Sequence, residues 1–332
     1  MPGTDLGDAT ALLRTATDVT LLAHVTPDAD ALGSALALGL ALHRRGARVR
    51  VSFGSPEETP ESLRWLDVAG LVVPALEVPP SAALLVACDV ASLDRLGQLA
   101  DRVEATVAAG GAVLVVDHHA SNTRFGTHHV VDETAEATTV LAALLLEELG
   151  VPLDADLAHC LYAGLVTDTS SFRRARPATH ELAARLLAAG ADPERTARQL
   201  FGSHPFAFLR MLAAVLGRAV LEPEAVGGRG LVHTAVLLTD QAGVRVEEVE
   251  SVVDVLRTTA EAEVAAVLKQ KGPGTWTGSL RAEGAVDVRA AALRFGGGGH
   301  RLAAGFTAHG ELDEVVDRLR EALRVPVLLA SG

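Results

Sequence analysis

The tripeptide Asp117-His118-His119 closes the apolar run of residues 112–116, and three other segments of the chain end in a similar way. His24-Val25-Thr26-Pro27-Asp28-Ala29-Asp30 follows a run at 19–23, Asp89 follows 83–88, and Asp168 sits in Leu165-Val166-Thr167-Asp168-Thr169. His24, Asp28, Asp30, Asp89, His118 and Asp168 together offer four carboxylates and two imidazoles. Such an oxygen-rich set suits Mn2+ or Mg2+, with Co2+ as a substitute, better than a structural zinc closed by thiolates. Six side chains exceed what one ion needs if water and substrate are also to bind. Two ions about 3.5–4 Å apart, bridged by a shared carboxylate and a hydroxide, would use all six. That chemistry activates water and clamps both oxygens of an in-line displacement at phosphorus.

Each segment has a plainer reading when taken alone. Asp30 also fits the N-cap of a helix beginning near Ala31, with Asp28 a loop residue before it, and Asp89 fits a strand-end turn. Asp168 near the end of an expected helix is harder to dismiss, because a helix C-terminus disfavours an anion. Tandem histidines after an aspartate have no obvious structural use. Open α/β sheets build their sites at strand C-terminal ends, so four such ends point to one metal-binding crevice.

The elements that must position these residues alternate. Residues 19–24 read as a buried strand, 33–45 as an apolar-rich helix closed by Gly46, and 48–53 as a second strand. This order predicts a parallel sheet with a right-handed crossover and helices on both faces. Residues 83–88 and 112–116 read as further strands, and 137–149, 156–166 and 179–189 as helices, the last ended by Gly190. Beyond Asp192-Pro193 the stretch 194–221 is largely helical but broken at Pro205, with its far end, 218–222, open to a strand that hairpins into 231–238. A second lobe then holds a helix at 246–258, strands at 263–269 and 275–281, a helix at 286–295, a strand at 305–308 and a closing helix at 313–323. The expected division is a catalytic domain at 1–192, a helical connector at 193–221 and a smaller α/β domain, across a cleft, at 222–332.

Bulk properties narrow the partners. At 332 residues, each of two domains can bury a real core. Aromatic residues make up 3% of the chain, too few for base-stacking platforms that grip long single strands. The formal charge of −13 opposes a non-specific nucleic-acid binder without excluding a small phosphorylated substrate. Cys88 and Cys160 lie in apolar runs and read as buried small hydrophobes rather than a disulfide framework. No basic n-region opens the chain and no apolar stretch approaches the roughly 18 residues of a membrane span, so a cytoplasmic location without membrane contact is expected.

These residues resemble the DHH/DHHA1 phosphoesterases, most closely their nanoRNase/pAp phosphatase branch. The matching motifs are His24-x-x-x-Asp28-x-Asp30-Ala31-x-Gly33-Ser34, Asp89, Asp117-His118-His119-x-Ser121-Asn122, Thr167-Asp168-Thr169, and Gly296-Gly297-Gly298-Gly299-His300-x-x-Ala303-Ala304-Gly305-Phe306. The resemblance implies that His24 and Asp28 hold one ion, that Asp30, His118 and Asp168 hold the other, and that Asp89 bridges both. It makes Asp117 an orienter of a histidine through its ring N–H. It puts His119 on the scissile phosphate or the leaving oxygen, and Asn122 close to the substrate. Arg281, Gly297, Gly298, Gly299 and His300 are implied as phosphate or base contacts, since glycine lets backbone N–H groups approach closely and arginine grips two oxygens. A flexible loop is the plain alternative for the glycine run. Ser170-Ser171-Phe172-Arg173-Arg174-Ala175-Arg176-Pro177 departs from the relatives, which usually carry Gly and then an aromatic residue. Its three arginines fit either a phosphate grip or a solvated loop. The acidic Glu247-Glu248-x-Glu250 reads as a solvated helix face.

The implied activity is Mn2+-dependent hydrolysis of small nucleotides. Candidates are oligoribonucleotides of two to five units, linear dinucleotides such as pApA, 3′-phosphoadenosine 5′-phosphate (pAp) and cyclic dinucleotides such as c-di-AMP, acted on by a homodimer. The rival readings are a RecJ-type single-strand exonuclease, a pyrophosphatase and a non-catalytic nucleotide sensor. Charge and aromatic content oppose the first, the glycine-His motif the second, and retention of all six ligands the third.

Overall fold

In the computed structural model, which describes residues 6–329, the first part of the chain is built on five parallel strands. Its elements run α1 (Leu6–Thr15), β1 (Asp18–Ala23), α2 (Ala29–Arg44), β2 (Arg48–Phe53), β3 (Leu84–Cys88), α3 (Asp101–Ala108), β4 (Ala112–Asp117), β5 (His128–Val131), α4 (Thr138–Glu148), α5 (Ala155–Asp168), α6 (Pro177–Ala188) and α7 (Pro193–Phe201). The strand order is β2-β1-β3-β4-β5, with every neighbouring pair parallel. The chain therefore leaves β1 toward one edge and returns on its other side at β3. In such an order the topological switch point lies between β1 and β3, and crevices open beyond the strand C-termini there.

Both faces of the sheet are covered, which is why the strands read as uninterrupted apolar runs rather than alternating ones. Leu21, Ala23, Val86, Cys88, Leu114 and Val116 join a core shared with α2, α4 and α5. Leu22, Leu85, Ala87, Val113 and Val115 face the other way, onto Leu96, Leu99 and Val103. Helix α2 is buried over its first fourteen residues, Ala29 to Leu42. It packs on α5 so closely that a Cβ on Gly33 would stand 2.4 Å from the Cys160 carbonyl oxygen. Both cysteines are fully buried.

The molecule divides at 203/204 into two compact units, inside the stretch read as a connector, with α7 in the first and the next helix in the second. The second unit contains α8 (Phe206–Gly217), β6 (Val220–Glu222), a single irregular turn α9 (Ala225–Gly228), β7 (Leu231–Val236), α10 (Val246–Leu256), β8 (Val264–Gly272), β9 (Thr275–Ala282), α11 (Val288–Leu293), β10 (Gly298–Gly299), β11 (Ala303–His309) and α12 (Leu312–Leu323). Its sheet is mixed, ordered β10-β11-β9-β8-β7-β6, with only β7 and β8 parallel and α10 between them in sequence. One face, with Ala266, Leu268, Trp276, Leu280, Ala304 and Phe306, shares a core with α11 and α12. On the other face α8 and α10 pack with Val232, Val236, Ala265 and Val267, which belong to β7 and β8. The same face of β9 and β11 carries Thr277, Ser279, Arg281, Ala303, Gly305 and Thr307, all partly or fully exposed.

Five of the labelled elements had no place in the sequence reading: α1, α3, the edge strand β5, the short turn α9 and the two-residue strand β10. The acidic stretch on α10 also differs from a solvated face. Glu248 is 1% exposed and accepts from its own helix's capping N–H at Arg245, from the Arg245 guanidinium and from His204 Nδ1. No single helix among the described residues is long and apolar enough to cross a membrane.

Candidate metal centre

His24 follows β1 and Asp89 follows β3, so they flank the switch point, while His118 and His119 follow β4. His24, Asp89 and His118 are each fixed from behind, the histidines through their rings and Asp89 through its backbone. His24 Nδ1 lies 2.8 Å from the Val25 carbonyl and His118 Nδ1 lies 3.2 Å from the Ala135 carbonyl. A ring nitrogen bonded to a carbonyl carries the proton, which leaves Nε2 as the donor atom for a metal. Asp89 adopts a left-handed backbone (φ 60°), uncommon for a residue with a Cβ, and its N–H donates to the Val116 carbonyl at 2.9 Å.

The Asp89 carboxylate divides between two groups. Its Oδ2 lies 3.5 Å from His24 Nε2, and its Oδ1 lies 3.5 Å from His118 Nε2. His24 Nε2 is also 3.6 Å from Asp28 Oδ2, and His118 Nε2 is 3.1 Å from Asp168 Oδ2. Two triads result, His24–Asp28–Asp89 and Asp30–His118–Asp168, each with one ligand atom per residue within 4.8 Å of the others. A third group, Asp89–His118–His119, overlaps both.

The N-cap of α2 is Asp28, whose Oδ1 accepts from the N–H groups of Asp30 and Ala31 at 3.0 Å each. Asp30 is therefore not the cap, and it is fully buried. Its Oδ2 and Oδ1 accept from the backbone N–H groups of Thr138 and Thr139 at 2.6 and 2.8 Å, at the N-terminus of α4. The helix dipole favours an anion there. Thr138 Oγ1 donates to Asp89 Oδ1 at 2.8 Å. Ala135, Thr138 and Thr139 thus serve three of the six candidate ligands, and sequence reasoning missed them. The only available signal was a threonine pair opening the apolar helix α4.

Asp117 is fully buried and holds two neighbours: Oδ1 lies 2.7 Å from His119 Nδ1, and Oδ2 accepts from Asn122 Nδ2 at 2.5 Å. Asn122 donates to the Val90 carbonyl as well and accepts from the Arg124 N–H. In the segment after α5, Ser170, Ser171 and Phe172 are all left-handed (φ 52°, 57° and 65°). Arg174 donates to the Asp168 carbonyl at 3.0 Å, and Arg176 grips the Glu136 carboxylate and the Thr134 carbonyl. Both arginines bond to the protein while their side chains stay exposed at the surface.

The electrostatics are those of a cation site. Burial lowers the His24 imidazole, but the facing Asp28 and Asp89 carboxylates outweigh it and hold the ring at about 10. His118 is lifted to about 10 against the same burial effect by Asp168, Asp89 and Asp30. Burial, then the charges of Asp168 and Asp89, push Asp30 well above the usual carboxylate range. Burial likewise lifts Asp168 to about 6. Burial would also raise Asp89, but the histidines around it bring it below that range. Four carboxylates crowded at one place in low dielectric repel one another, and divalent cations would relieve that repulsion. The donor set therefore fits two ions.

In the second unit Arg281 sits on the open face of β9, with Nε 3.9 Å from Asp254 Oδ1. On the same face Lys269 is 3% exposed and donates to Glu250 and to Ser279 Oγ. The glycine run is more structural than its sequence suggested. Gly296 is left-handed (φ 74°), and a Cβ on Gly297 or Gly299 would stand 2.2 Å from the Gly305 carbonyl oxygen or 2.6 Å from that of Ala303. A Cβ on Gly298 alone of the four would meet open space without a strained φ. Gly298 pairs with Gly305, and Gly305 with Ser279, so these three lie in one row on the open face. His300 closes the turn between β10 and β11, its N–H donating to the Ala303 carbonyl at 2.7 Å.

Residues 18–165 match the DHH family, N-terminal domain, and residues 228–325 match the DHHA1 domain. Over 91% of its length the chain is 35% identical to the bifunctional oligoribonuclease and PAP phosphatase NrnA of Thermus thermophilus, covering 87% of that protein. The chain belongs to the DHH family. It is also 28% identical, over 94% of its length and 48% of the other's, to the cyclic-di-AMP phosphodiesterase GdpP of Geobacillus thermodenitrificans. In fold it is similar to an exopolyphosphatase-related protein from Bacteroides fragilis, with a TM-score of 0.87 at 22% identity, over 96% of this chain and 95% of that one. As a DHH protein with these relatives, the chain is a hydrolase of phosphoester bonds.

Proposed function

We propose that this DHH protein hydrolyses small nucleotides with two Mn2+ ions, one at His24–Asp28–Asp89 and one at Asp30–His118–Asp168. The carrying observation is the Asp89 carboxylate, which turns one oxygen toward each triad. Bound divalent ions would lower the pKa of water for attack at phosphorus and stabilise the oxygens of the displacement. The chain's own residues do the rest. Val25 and Ala135 fix the tautomers of His24 and His118. Asp117 holds His119 through Nδ1, with Nε2 assigned to the scissile phosphate or the leaving oxygen, and Asn122 braces Asp117. In the second unit, Arg281, His300 and the row at Gly298 are assigned to substrate, with Gly297 and Gly299 shaping the strand that presents that row.

The substrates proposed are oligoribonucleotides of two to five units, linear dinucleotides such as pApA, and pAp, with c-di-AMP included. The names of the relatives support this range: an oligoribonuclease and PAP phosphatase, and a cyclic-di-AMP phosphodiesterase. The reading includes a cytoplasmic homodimer, which sedimentation would check, and a catalytic domain at 1–192 joined through 193–221 to a substrate-binding domain at 222–332. The test is kcat/KM for pApA, c-di-AMP and pAp with Mn2+ supplied to metal-stripped protein. Turnover of at least one, abolished by chelator and restored by Mn2+, is expected. No turnover of any, nor of short oligoribonucleotides, refutes the proposal.

A further inference from the structure

Arg176 lies on the surface, with 57% of its side chain exposed, yet its fork closes on a segment that serves the candidate metal centre. Nε donates to Glu136 Oε1 at 2.5 Å, Nη2 donates to Glu136 Oε2 at 3.1 Å, and Nη2 also donates to the Thr134 carbonyl. Its two attachment points bracket Ala135 on both sides. The Ala135 carbonyl is the group that accepts from His118 Nδ1. Three and four residues further on, Thr138 and Thr139 present the N–H groups that hold Asp30. Arg176 also follows Arg174, which donates to the carbonyl of Asp168. One short segment, 174–176, therefore tethers supports of His118, Asp30 and Asp168, which form a single triad. In the other triad Asp28 is fixed by the first turn of its own helix and His24 by the adjacent carbonyl, and the segment reaches it through Asp89, whose Oδ1 accepts from Thr138 Oγ1.

We propose that Arg176 is a positioning residue that selectively sets occupancy of the Asp30–His118–Asp168 ion position, by clamping Glu136 and the Thr134 carbonyl so that the Ala135 carbonyl stays on His118. It touches neither ion nor substrate. The inference rests on the two-ion reading above. Groups that orient a metal-binding histidine commonly change metal affinity by about 10- to 100-fold when removed. A planar fork with two parallel bonds is needed for this grip, and lysine does not supply it.

The test is Mn2+ binding to the full-length, metal-stripped protein, followed by the electron paramagnetic resonance signal of free Mn2+. The wild type should take up two ions. Arg176→Met should keep one ion at wild-type affinity and bind the other about tenfold or more weakly. Glu136→Gln should produce the same split, Arg176→Lys should fall between, and the double variant Arg176→Met/Glu136→Gln should be no worse than either single one. Thermal melts in chelator identify any variant that has lost its fold, and Arg176→Lys, the mildest change, then decides. Variants that bind both ions like the wild type, or that lose both equally, overturn the inference while leaving the two-ion reading intact. A wild type that takes up no Mn2+ overturns that reading and this inference with it.

Discussion

Gly164 offers a sharp test of how the centre is held, because it stands on α5 one turn before Asp168 and directly against Asp30. A Cβ placed there would lie 2.5 Å from Thr139 Cγ2 and 2.8 Å from both the Cα and Oδ1 of Asp30. Those distances are about 0.9 and 0.6 Å inside the 3.4 Å at which ordinary contact begins. The Asp30 Cα cannot swing away, and the buried Thr139 methyl has little room to turn. Asp30 Cα is backbone in the buried stretch of α2, and Thr139 is bonded through its own N–H to Asp30 Oδ1. In Gly164→Ala, α5 must move off α2, carrying Asp168 away from Asp30. Overpacking of this kind costs roughly 1–3 kcal/mol. The better helix propensity of alanine offsets about 1 kcal/mol of that. The net change of about 0–2 kcal/mol lowers Tm by less than about 8 °C in a unit of this size. Chemistry is far less tolerant, since a misplacement near 1 Å costs on the order of 100-fold in rate. Gly164→Ala is therefore expected to melt within a few degrees of wild type while kcat on pAp or a short oligoribonucleotide falls by about 10- to 100-fold. Gly39→Ala on the partner helix α2 is the control, because its Cβ would meet side-chain tips alone, those of Val49, Val51 and Leu21 at 3.2, 3.3 and 3.5 Å. It should leave kcat unchanged. Gly164→Ala protein with kcat within about threefold of wild type would refute the idea that this helix contact fixes the ion positions.

Asp89→Ala removes the oxygens facing both triads, so Mn2+ uptake should weaken at two positions together and kcat should fall by more than about 100-fold; loss of only one ion would show that the carboxylate does not bridge. Gly297→Ala should lower the melting temperature, because its Cβ collides with the Gly305 carbonyl, whereas Gly298→Ala should fold normally and raise KM. Equal effects of the two on stability would contradict the distinction. In chelator-treated protein, His24 and His118 are held at about 10 against an ordinary 6.5, so the folded state binds more protons than the unfolded one over that interval. Their contribution is fully present below about pH 6.5 and is lost as pH rises through 10, so Tm of the metal-free protein should fall between pH 7 and 10. A metal-free Tm that climbs across that window rejects the sign.

The parallel sheet was legible because burial on both faces leaves one pattern, a short run of Val, Leu and Ala, at β1, β3 and β4. The strand β5 carried no such run: its first two residues are His128 and His129 at a sheet edge, and only Val130 and Val131 are buried. Helix α3 was missed for a related reason, since Val103 and Thr106 are the only buried residues in its eight. That the six proposed donors come together was legible, five of them from charged residues following the strands β1, β3 and β4 and Asp168 from an anion at a helix C-terminus. What holds those donors was not legible. Ala135 acts through its carbonyl and Thr139 through its N–H, groups that every such residue possesses, so side-chain identity says nothing about them. The glycine run misled for the opposite reason: three of its four members answer to backbone geometry at β10 and β11, and only Gly298 is left without a steric demand. Arg176 shows both limits at once. Its charge near a phosphate-directed motif fitted either a phosphate grip or a solvated loop, and the fold pairs that charge with Glu136, 40 residues earlier in the chain. A sequence displays which side chains can do chemistry, while the hydrogen bonds that aim them depend on separations that only the folded chain brings together.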